Sequence, residues 1–485
     1  MSQFGWFILG VVVGSVRHWV LRLWTQYHPA KVPARSSALE LLEAHFQPLP
    51  INEIVIAERQ FPYRVRADLQ RALDRLFASD IQILHFSGIR KEHSFEGVRL
   101  TDCVVPNEYS PALSVPPEYE EIEIGDEEPA RVLKNGLWLL ERDGVRFAVL
   151  LAPKDRHGTI TGVLFQIGTP NSPGGIAVTQ EFFRTLEQAI RTAESYRGKI
   201  LSLEHAEHSY SGASTGITVH KLRLVEREQV VLPEKTLALL ERNVVQFVRQ
   251  RKQLSEFHQA AKKGILFYGP PGTGKTHTIH YLARALEGHT TLLVSAEQVG
   301  LLGEYMTLAR LLQPSIVVLE DVDLIARDRS SMNNVCEEVL LNKLLNEMDG
   351  LKEEADILFI LTTNRPEALE AALASRPGRV DQAIEFPPPD NEGRRKLIAL
   401  YSKGAIVGED LISHIVERTE GVSAAFIKEL MRRTVQFHIE RNGSSDINQA
   451  DVDSALDEML FKGGSLNLKL LGASHHATVG FGCAK

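Results

Sequence analysis

Cysteine is scarce in this sequence, and the few cysteines present do not outline a site. Three occur among 485 residues, Cys103, Cys336 and Cys483, and they lie far apart. This spacing matches neither a disulfide framework nor a zinc-ligand motif. We therefore expect a protein without structural disulfides or a zinc site, in a reducing compartment such as the cytoplasm.

Clustered positive charge is lacking as well. The chain has 62 acidic and 54 basic residues, which gives a formal net charge of -8, and the basic residues are scattered. Because contacts to phosphates need clustered Lys and Arg, this distribution disfavours nucleic acid as the main partner. The apolar fraction of 44% and the charged fraction of 24% are typical of a globular protein. The length predicts two or three domains.

The apolar run at the amino terminus is shorter than an ordinary membrane span. Phe4–Val16 carries no charge and is followed by Arg17, His18 and Arg22. As a helix this run would measure ~20 Å, whereas the hydrocarbon core of a bilayer is ~30 Å thick. Three interpretations of the segment 1–30 stay open. They are membrane attachment through residues 4–24 with the body in the cytoplasm, an interfacial anchor, and an apolar helix docked on the protein.

Residues 31–225 carry the pattern of a compact α+β domain. Helical periodicity in its first part gives way to strand-like runs between residues 137 and 167. A helix is predicted over about Gln180–Tyr196, and a strand at Lys199–Leu203 is predicted to close the domain. The Gly/Ser-rich stretch Ser209–Gly216 predicts a hinge to the next domain. Because no catalytic constellation is evident here, we expect this domain to bind a substrate or partner.

A phosphate-binding loop follows the short apolar strand Ile265–Tyr268. The sequence GPPGTGKT comes directly after this strand and leads into the helical run HTIHYLARAL, which is the context that a P-loop requires. Glycines let the backbone wrap closely round phosphates, so that successive N–H groups face the anion. We expect Lys275 to contact the β and γ phosphates of ATP, and the Thr276 hydroxyl to bind Mg²⁺. The predicted nucleotide-binding residues are Gly269, Pro270, Pro271, Gly272, Thr273, Gly274, Lys275 and Thr276.

Polar side chains follow two further apolar strands. Glu320 and Asp321 come after Ser315–Leu319, and Asn364 comes shortly after Ile357–Leu361. Parallel strands of a doubly wound sheet present functional groups together at their carboxyl ends. One carboxylate must orient the magnesium ion and the other must polarise the attacking water. An amide at the tip of the neighbouring strand can hold that water beside the γ phosphate.

With these motifs the sequence resembles the AAA clade of the AAA+ superfamily, which are P-loop ATPases that remodel proteins. The resemblance runs from about Val231 to Phe461 and includes LLNKLLNEMDGL at 340–351 and the long stretch at 362–390. It implies an α/β fold with a doubly wound parallel sheet in an ATPase core at 226–390. A helical lid at 391–465 and a tail at 466–485 would follow this core, and the α+β domain would precede it.

The resemblance also implies assembly into a ring, most simply a hexamer. Arg376 and Arg379 match the arginine fingers that reach the γ phosphate bound by the neighbouring subunit. A guanidinium supplied in trans neutralises the charge that develops during phosphoryl transfer. The implied catalytic residues are Lys275, Glu320, Asp321, Asn364, Arg376 and Arg379.

The sequence departs from the clade at two places. The acidic pair runs Glu320 then Asp321, whereas the usual order is Asp then Glu. If roles follow position, Glu320 lies on the magnesium side with Thr276, and Asp321 acts as the base. A similar reversed pair occurs in the family of the mitochondrial chaperone that translocates the Rieske iron–sulfur protein. Leu301 and Leu302 stand where unfoldases carry a substrate-gripping pore loop, and they are interpreted equally well as pore or as core residues.

The function expected from the sequence is ATP-dependent remodelling of a protein substrate by a ring-forming ATPase. Two alternatives remain. One is an ATP-controlled switch or scaffold that hydrolyses slowly and threads nothing, which the reversed acids favour. The other is a motor linked to nucleic acid, which the acidic balance disfavours.

Overall fold

The computed structural model describes the chain as two compact units. The described residues are 37–91, 97–106, 110–156, 159–192, 194–203, 216–223, 225–260, 262–325, 346–347, 355–368, 380–403, 407–441 and 446–462. The first unit holds those up to Ser195, and the second holds those from Tyr196 onward. Helices and strands are numbered below in chain order among these residues.

The first unit is built on a six-stranded antiparallel sheet with the strand order β1-β8-β7-β6-β2-β3, and β4 and β5 form a separate hairpin. The strands are β1 (Ile54–Phe61), β2 (Gln82–Lys91), β3 (Ala112–Val115), β4 (Tyr119–Ile122), β5 (Ala130–Leu133), β6 (Gly136–Arg142), β7 (Val145–Arg156) and β8 (Thr159–Pro170). The helices are α1 (Ala38–Phe46), α2 (Arg66–Phe77), α3 (Leu100–Val104) and α4 (Pro173–Thr192).

Helices pack on this sheet and bury the apolar residues of its central strands. Leu42 of α1 and Leu100 of α3 pack with Leu137 and Leu150 of β6 and β7 in one core cluster. α4 contacts β7 and β8 and also packs against α2. The unit therefore has the α+β character that the sequence predicts, and β6, β7 and β8 fall on the predicted strand-like runs.

The long helix of the first unit begins earlier than the sequence pattern suggests. α4 starts at Pro173 rather than near Gln180. Pro is favoured in the first turn of a helix, where its missing N–H costs no hydrogen bond. The Ser172 hydroxyl also accepts a hydrogen bond from the Gly175 N–H at 3.2 Å. These two features start the helix before its periodic apolar positions begin.

The second unit contains a seven-stranded sheet with the order β10-β9-β12-β13-β14-β11-β15. All neighbouring strands are parallel except the pair β10 and β9. Every residue of β13 and β14 is buried, as expected for parallel strands covered on both faces. The strands are β9 (Ile200–Leu203), β10 (Ile217–Val219), β11 (Lys263–Tyr268), β12 (Thr290–Val294), β13 (Ser315–Leu319), β14 (Ile357–Thr363) and β15 (Gln382–Glu385).

Helices flank this sheet, and a helical group follows it. A π-helical turn, Glu241–Gln246, joins the first two helices, and α10 to α13 carry a core cluster of their own. The helices are α5 (Glu234–Leu240), α6 (Phe247–Glu256), α7 (Lys275–Ala285), α8 (Leu302–Leu311), α9 (Val322–Ile325), α10 (Asn391–Tyr401), α11 (Glu409–Arg418), α12 (Ala424–Glu440) and α13 (Gln449–Asp457). The predicted α/β fold, a largely parallel sheet followed by a helical lid, is confirmed.

One predicted strand belongs to a different sheet than expected. Lys199–Leu203 was predicted to close the first domain, and this prediction is wrong. As β9, Ile200–Leu203 pairs in parallel with β12 and antiparallel with β10 in the sheet of the second unit. A four-residue apolar run carries no local signal for its partner strand, so the sequence pattern alone could not assign it. Most of the predicted hinge Ser209–Gly216 lies outside the described residues.

No helix in the described part of the chain combines the length and the apolar character needed to cross a bilayer. The segment 1–30, with its apolar run, and the tail 466–485 lie outside the described residues.

Candidate nucleotide site

The P-loop connects β11 to α7 along a tight path. Gly269 has a φ of 147°, and a Cβ at this position would lie 2.3 Å from the Phe386 carbonyl oxygen. Only glycine fits, because that oxygen belongs to the backbone and cannot move aside cheaply. Gly274, at a φ of 100°, directly precedes α7. The N–H groups of the loop and the amino end of α7 therefore lie close together, in the arrangement that binds phosphates.

Lys275 is held inside the loop. Its side chain is 7% exposed, and its ammonium donates hydrogen bonds to the carbonyl oxygens of Gly269 at 2.8 Å and Pro270 at 2.9 Å. Burial lowers the pKa of Lys275 to about 8, and the carboxylates of Asp321 and Asp323 oppose this shift. Lys275 is thus still protonated at pH 7, and it presents a positive charge beside the loop's N–H groups.

A hydroxyl and a carboxylate meet at the start of α7. The Thr276 hydroxyl is exposed and donates to Oε1 of Glu320 at 3.0 Å. The Glu320 N–H donates to the Val294 carbonyl oxygen at 3.0 Å, which continues the pairing of β13 with β12. Mg²⁺ prefers oxygen ligands at about 2.0–2.1 Å and keeps several waters. Thr276 and Glu320 supply such oxygens, so this pair could hold the metal.

The second acid faces the tip of β14. Asn364 donates from Nδ2 to Oδ1 of Asp321 at 2.9 Å. Asp323, which is buried, accepts from the Thr363 hydroxyl at 2.9 Å and from the Asn364 N–H at 3.1 Å. The Asp321 N–H donates to the Thr362 hydroxyl at 3.0 Å. Hydrogen bonds therefore join the ends of β13 and β14, and Asp321 and Asn364 lie at the same edge of the sheet.

The structure gives no position for the two predicted arginine fingers. Arg376 and Arg379 lie outside the described residues. Their role as arginine fingers stays a prediction.

A small cleft beside the P-loop was not predicted. The amino end of α12 adjoins the loop here, and the Ala425 N–H donates to the Gly272 carbonyl oxygen at 3.0 Å. The walls come from the segment before α5, the P-loop, the connection between β15 and α10, and the helices α10 and α12, and they are mostly apolar. The lining residues are Val231, Leu232, Pro233, Thr273, Pro387, Pro389, Asp390, Gly393 and Ala424. The apolar pair Val231-Leu232 was the only sequence signal, and it is too short to indicate a site by itself.

The segment before α8 is packed rather than free. Leu302 and Tyr305 are both 0% exposed, so the interpretation of Leu302 as a core residue is right and the pore-loop interpretation is wrong for it. The Tyr305 hydroxyl accepts from the Leu203 N–H at 2.7 Å and donates to Oε1 of Gln298 at 3.0 Å. Gln298 in turn donates to the Leu203 carbonyl oxygen at 2.8 Å. These bonds tie the segment to β9. Leu301 is only half-buried.

Comparison with known proteins agrees with this geometry. A family model described as "ATPase family associated with various cellular activities (AAA)" matches residues 265–388, which include the P-loop, both acids and Asn364. Residues 265–388 therefore carry an AAA domain, the ATPase domain of the P-loop superfamily. It is 28% identical over 331 residues to a Cell division cycle protein 48 homolog of Archaeoglobus fulgidus, a match covering 66% of this chain and 42% of that protein.

Two other relatives match over shorter stretches of the chain. A 26S proteasome regulatory subunit 8 homolog of Schizosaccharomyces pombe is 35% identical over 227 residues, which cover 43% of this chain and 54% of that protein. The ATP-dependent zinc metalloprotease FtsH 2 of Symbiobacterium thermophilum is 32% identical over 237 residues, 45% of this chain and 39% of that protein. The chain thus spans less than two thirds of the length of these relatives.

Proposed function

We propose that this AAA+ protein hydrolyses ATP with Mg²⁺ and uses the hydrolysis to remodel a protein partner. One observation carries the proposal: Thr276, Glu320, Asp321 and Asn364 meet at the carboxyl ends of β11, β13 and β14, directly beside a P-loop. The names of two relatives, a 26S proteasome regulatory subunit 8 homolog and an ATP-dependent zinc metalloprotease, support a role in handling proteins.

Nucleotide binding would use the loop and the cleft. Lys275 would turn from the loop carbonyls to the β and γ phosphates. The cleft at Val231 and Ala424 is too small for an adenine ring as it stands, so it would have to widen for its apolar walls to pack against the ring. Thr276 and Glu320 would hold the metal. When bound there, Mg²⁺ neutralises negative charge on the phosphates.

Water activation would fall to Asp321 and Asn364. The Asn364 amide, which already contacts Asp321, can orient a water molecule beside that carboxylate. Asp321 would take the proton as the water attacks the γ phosphorus, and the bond from this phosphorus to the bridging oxygen would break, so that ADP leaves. Because Asp is one carbon shorter than Glu, the reversed acid order makes slow turnover an expected property of this enzyme.

Hydrolysis is tested with three variants and a control. Lys275→Ala should abolish ATP binding, whereas Asp321→Asn should bind ATP and hydrolyse it ~10²–10⁴-fold more slowly, since a general base contributes about that factor. Glu320→Gln should raise the Mg²⁺ concentration needed for activity. Asp410→Asn removes an exposed acid of α11 and should change nothing. A wild-type rate no higher than that of Asp321→Asn would refute hydrolysis.

Ring assembly is the proposed context of this site. Arg376 and Arg379 would complete the site of a neighbouring subunit, and the resemblance to the AAA clade supports a hexamer. If so, Arg376→Ala and Asp321→Asn subunits, each inactive alone, should regain part of the activity when mixed, because some boundaries then pair an intact arginine with an intact base. Confirmed mixing without any regain would contradict action in trans.

The partner would be held by residues 31–225. Hydrolysis at 226–390 would move the lid, 391–465, against the sheet and so act on that partner. Asp321→Asn should retain the partner in the presence of ATP, and Lys275→Ala is the matched control that should not. The proposed location is the cytoplasm, and residues 4–24 offer membrane attachment as the alternative.

A non-threading ATP-controlled switch is the second candidate. The burial of Leu302 and the hydrogen bonds of Tyr305 and Gln298 to Leu203 of β9 favour it, because this segment cannot reach a substrate while these bonds hold. Leu301→Ser separates the two candidates. If Leu301 grips a threaded chain, this variant should keep its ATPase activity and lose remodelling. If the protein is a switch, the variant should show the same ATPase activity and the same ATP-dependent binding of the partner as the wild type.

A further inference from the structure

The backbone at Asp321 is unusual. Its φ is 50°, in the left-handed region that few residues other than glycine adopt, although Asp is among those that tolerate it. Along a strand, consecutive side chains point to opposite faces. The Glu320 side chain points to Thr276, so a regular continuation of the strand would point the Asp321 side chain to the opposite face of the sheet. The left-handed residue breaks the alternation and allows Asp321 to meet Asn364.

The side chain of Thr362 supports this left-handed residue. Thr362, near the end of β14, is 2% exposed, and its hydroxyl accepts the Asp321 N–H at 3.0 Å. On the far side of the turn, Thr363 and Asn364 hold Asp323. The backbone is therefore held on both sides of the Asp321 side chain, at the Asp321 N–H and at Asp323.

The reversed acid order makes this support important. An Asp carboxylate reaches about 1.5 Å less far than a Glu carboxylate, the length of one carbon–carbon bond. The difference has to be made up by the backbone, since the side chain cannot extend. A Glu at this position could adjust through an additional torsion, whereas Asp depends on how its own peptide is held.

Resting on the hydrolysis proposed above, we infer that Thr362 is a positioning residue that sets the direction of the Asp321 carboxylate. Without its hydroxyl, the Asp321 N–H has no acceptor from β14. The peptide then relaxes toward the extended form, and the carboxylate turns from the water held by Asn364. Nucleotide binding does not depend on this bond, because the P-loop and Thr276 lie on other elements.

The test compares Thr362→Val, Thr362→Ser and a matched control. Val has nearly the shape of Thr but no hydroxyl, and Ser restores the hydroxyl. Thr291→Val is the control, because Thr291 is a buried threonine of β12 in the same sheet whose hydroxyl has no hydrogen-bond partner among the described residues. Single-turnover hydrolysis, ATP affinity and the unfolding temperature are measured for each variant.

We expect hydrolysis in Thr362→Val to fall by roughly tenfold to a hundredfold, since a displacement of about 1 Å can cost ~10² in rate. ATP affinity should be unchanged, and Thr362→Ser and Thr291→Val should hydrolyse at nearly the wild-type rate. Equal rates for Thr362→Val and Thr291→Val would overturn the inference while leaving hydrolysis intact. Lost ATP binding in Thr362→Val would also overturn it, because the role would then be structural. A wild-type rate equal to that of Lys275→Ala would instead refute the proposed hydrolysis itself, and this inference with it.

Discussion

Substitution of Gly272 tests how the lid is seated on the P-loop. Gly272 has a φ of 75°, and a Cβ added there would lie 2.9 Å from the Ala425 Cβ and 3.0 Å from the Ser423 hydroxyl oxygen. Gly421 is a close control, because its φ is 74° and an added Cβ would meet no atom within 4 Å. Both Gly→Ala changes carry the same backbone strain, but only the one at Gly272 pushes on the lid.

The magnitude follows from these contacts. An Ala in the left-handed conformation lowers the free energy of unfolding by about 1–2 kcal/mol. About 0.4–1 kcal/mol of this is offset, because Ala has less conformational entropy than Gly in the unfolded chain. Gly421→Ala should therefore destabilise by no more than about 1.5 kcal/mol. Gly272→Ala adds overpacking of about 1–3 kcal/mol. The difference between the two variants should thus be about 1–3 kcal/mol, or ~5- to 150-fold in an equilibrium.

Hydrogen exchange at the start of α12 is the direct assay. The Ala425 N–H donates to the Gly272 carbonyl oxygen, so its exchange reports the opening of this contact. We expect exchange at Ala425 to be ~5- to 150-fold faster in Gly272→Ala than in Gly421→Ala. Adding Ala425→Gly should recover part of the loss in a double-mutant cycle. Equal exchange in the two single variants would refute the reasoning.

Three further predictions concern buried groups. Burial raises the pKa of Asp68, so the native state holds its proton more tightly than the unfolded chain does, and stability falls as the pH rises through that range. Asp68→Asn keeps an oxygen for the Ser195 N–H and should raise the unfolding temperature by about 2–4 °C at pH 8, with a smaller gain at pH 4; equal gains would contradict this. Tyr305→Phe leaves the Leu203 N–H without its acceptor and should cost about 1–3 kcal/mol, seen as faster exchange of that amide; unchanged exchange would count against the tie to β9. Burial raises the pKa of Cys103 to about 12, so iodoacetamide at pH 8 should label it only after denaturation, and mass spectrometry of the native protein would expose an error.

The sequence predicts the parts of the site that lie in contiguous motifs. The P-loop, the acids after β13 and Asn364 after β14 each follow an apolar run, and parallel strands gather such tips at one edge. The hydrogen bond from Asp321 to Thr362 could not be predicted, because it depends on a left-handed φ at one residue and on a partner in another strand. The burial of Leu302 was likewise undecidable, since the bonds that hold its segment come from β9.

The contacts of the P-loop suggest how phosphate and lid would be coupled in the proposed ATPase. The Gly272 carbonyl oxygen accepts from the Ala425 N–H of α12, and Lys275 begins α7 only a few residues later. When the γ phosphate leaves, Lys275 loses its ligand. Its ammonium can then donate again to the carbonyl oxygens of Gly269 and Pro270, which would shift the loop that carries Gly272. A shift of this loop acts on α12 through a contact that leaves no room for a Cβ. The lid would therefore sense the phosphate through the loop backbone, and Gly272→Ala should weaken that coupling even where ATP still binds.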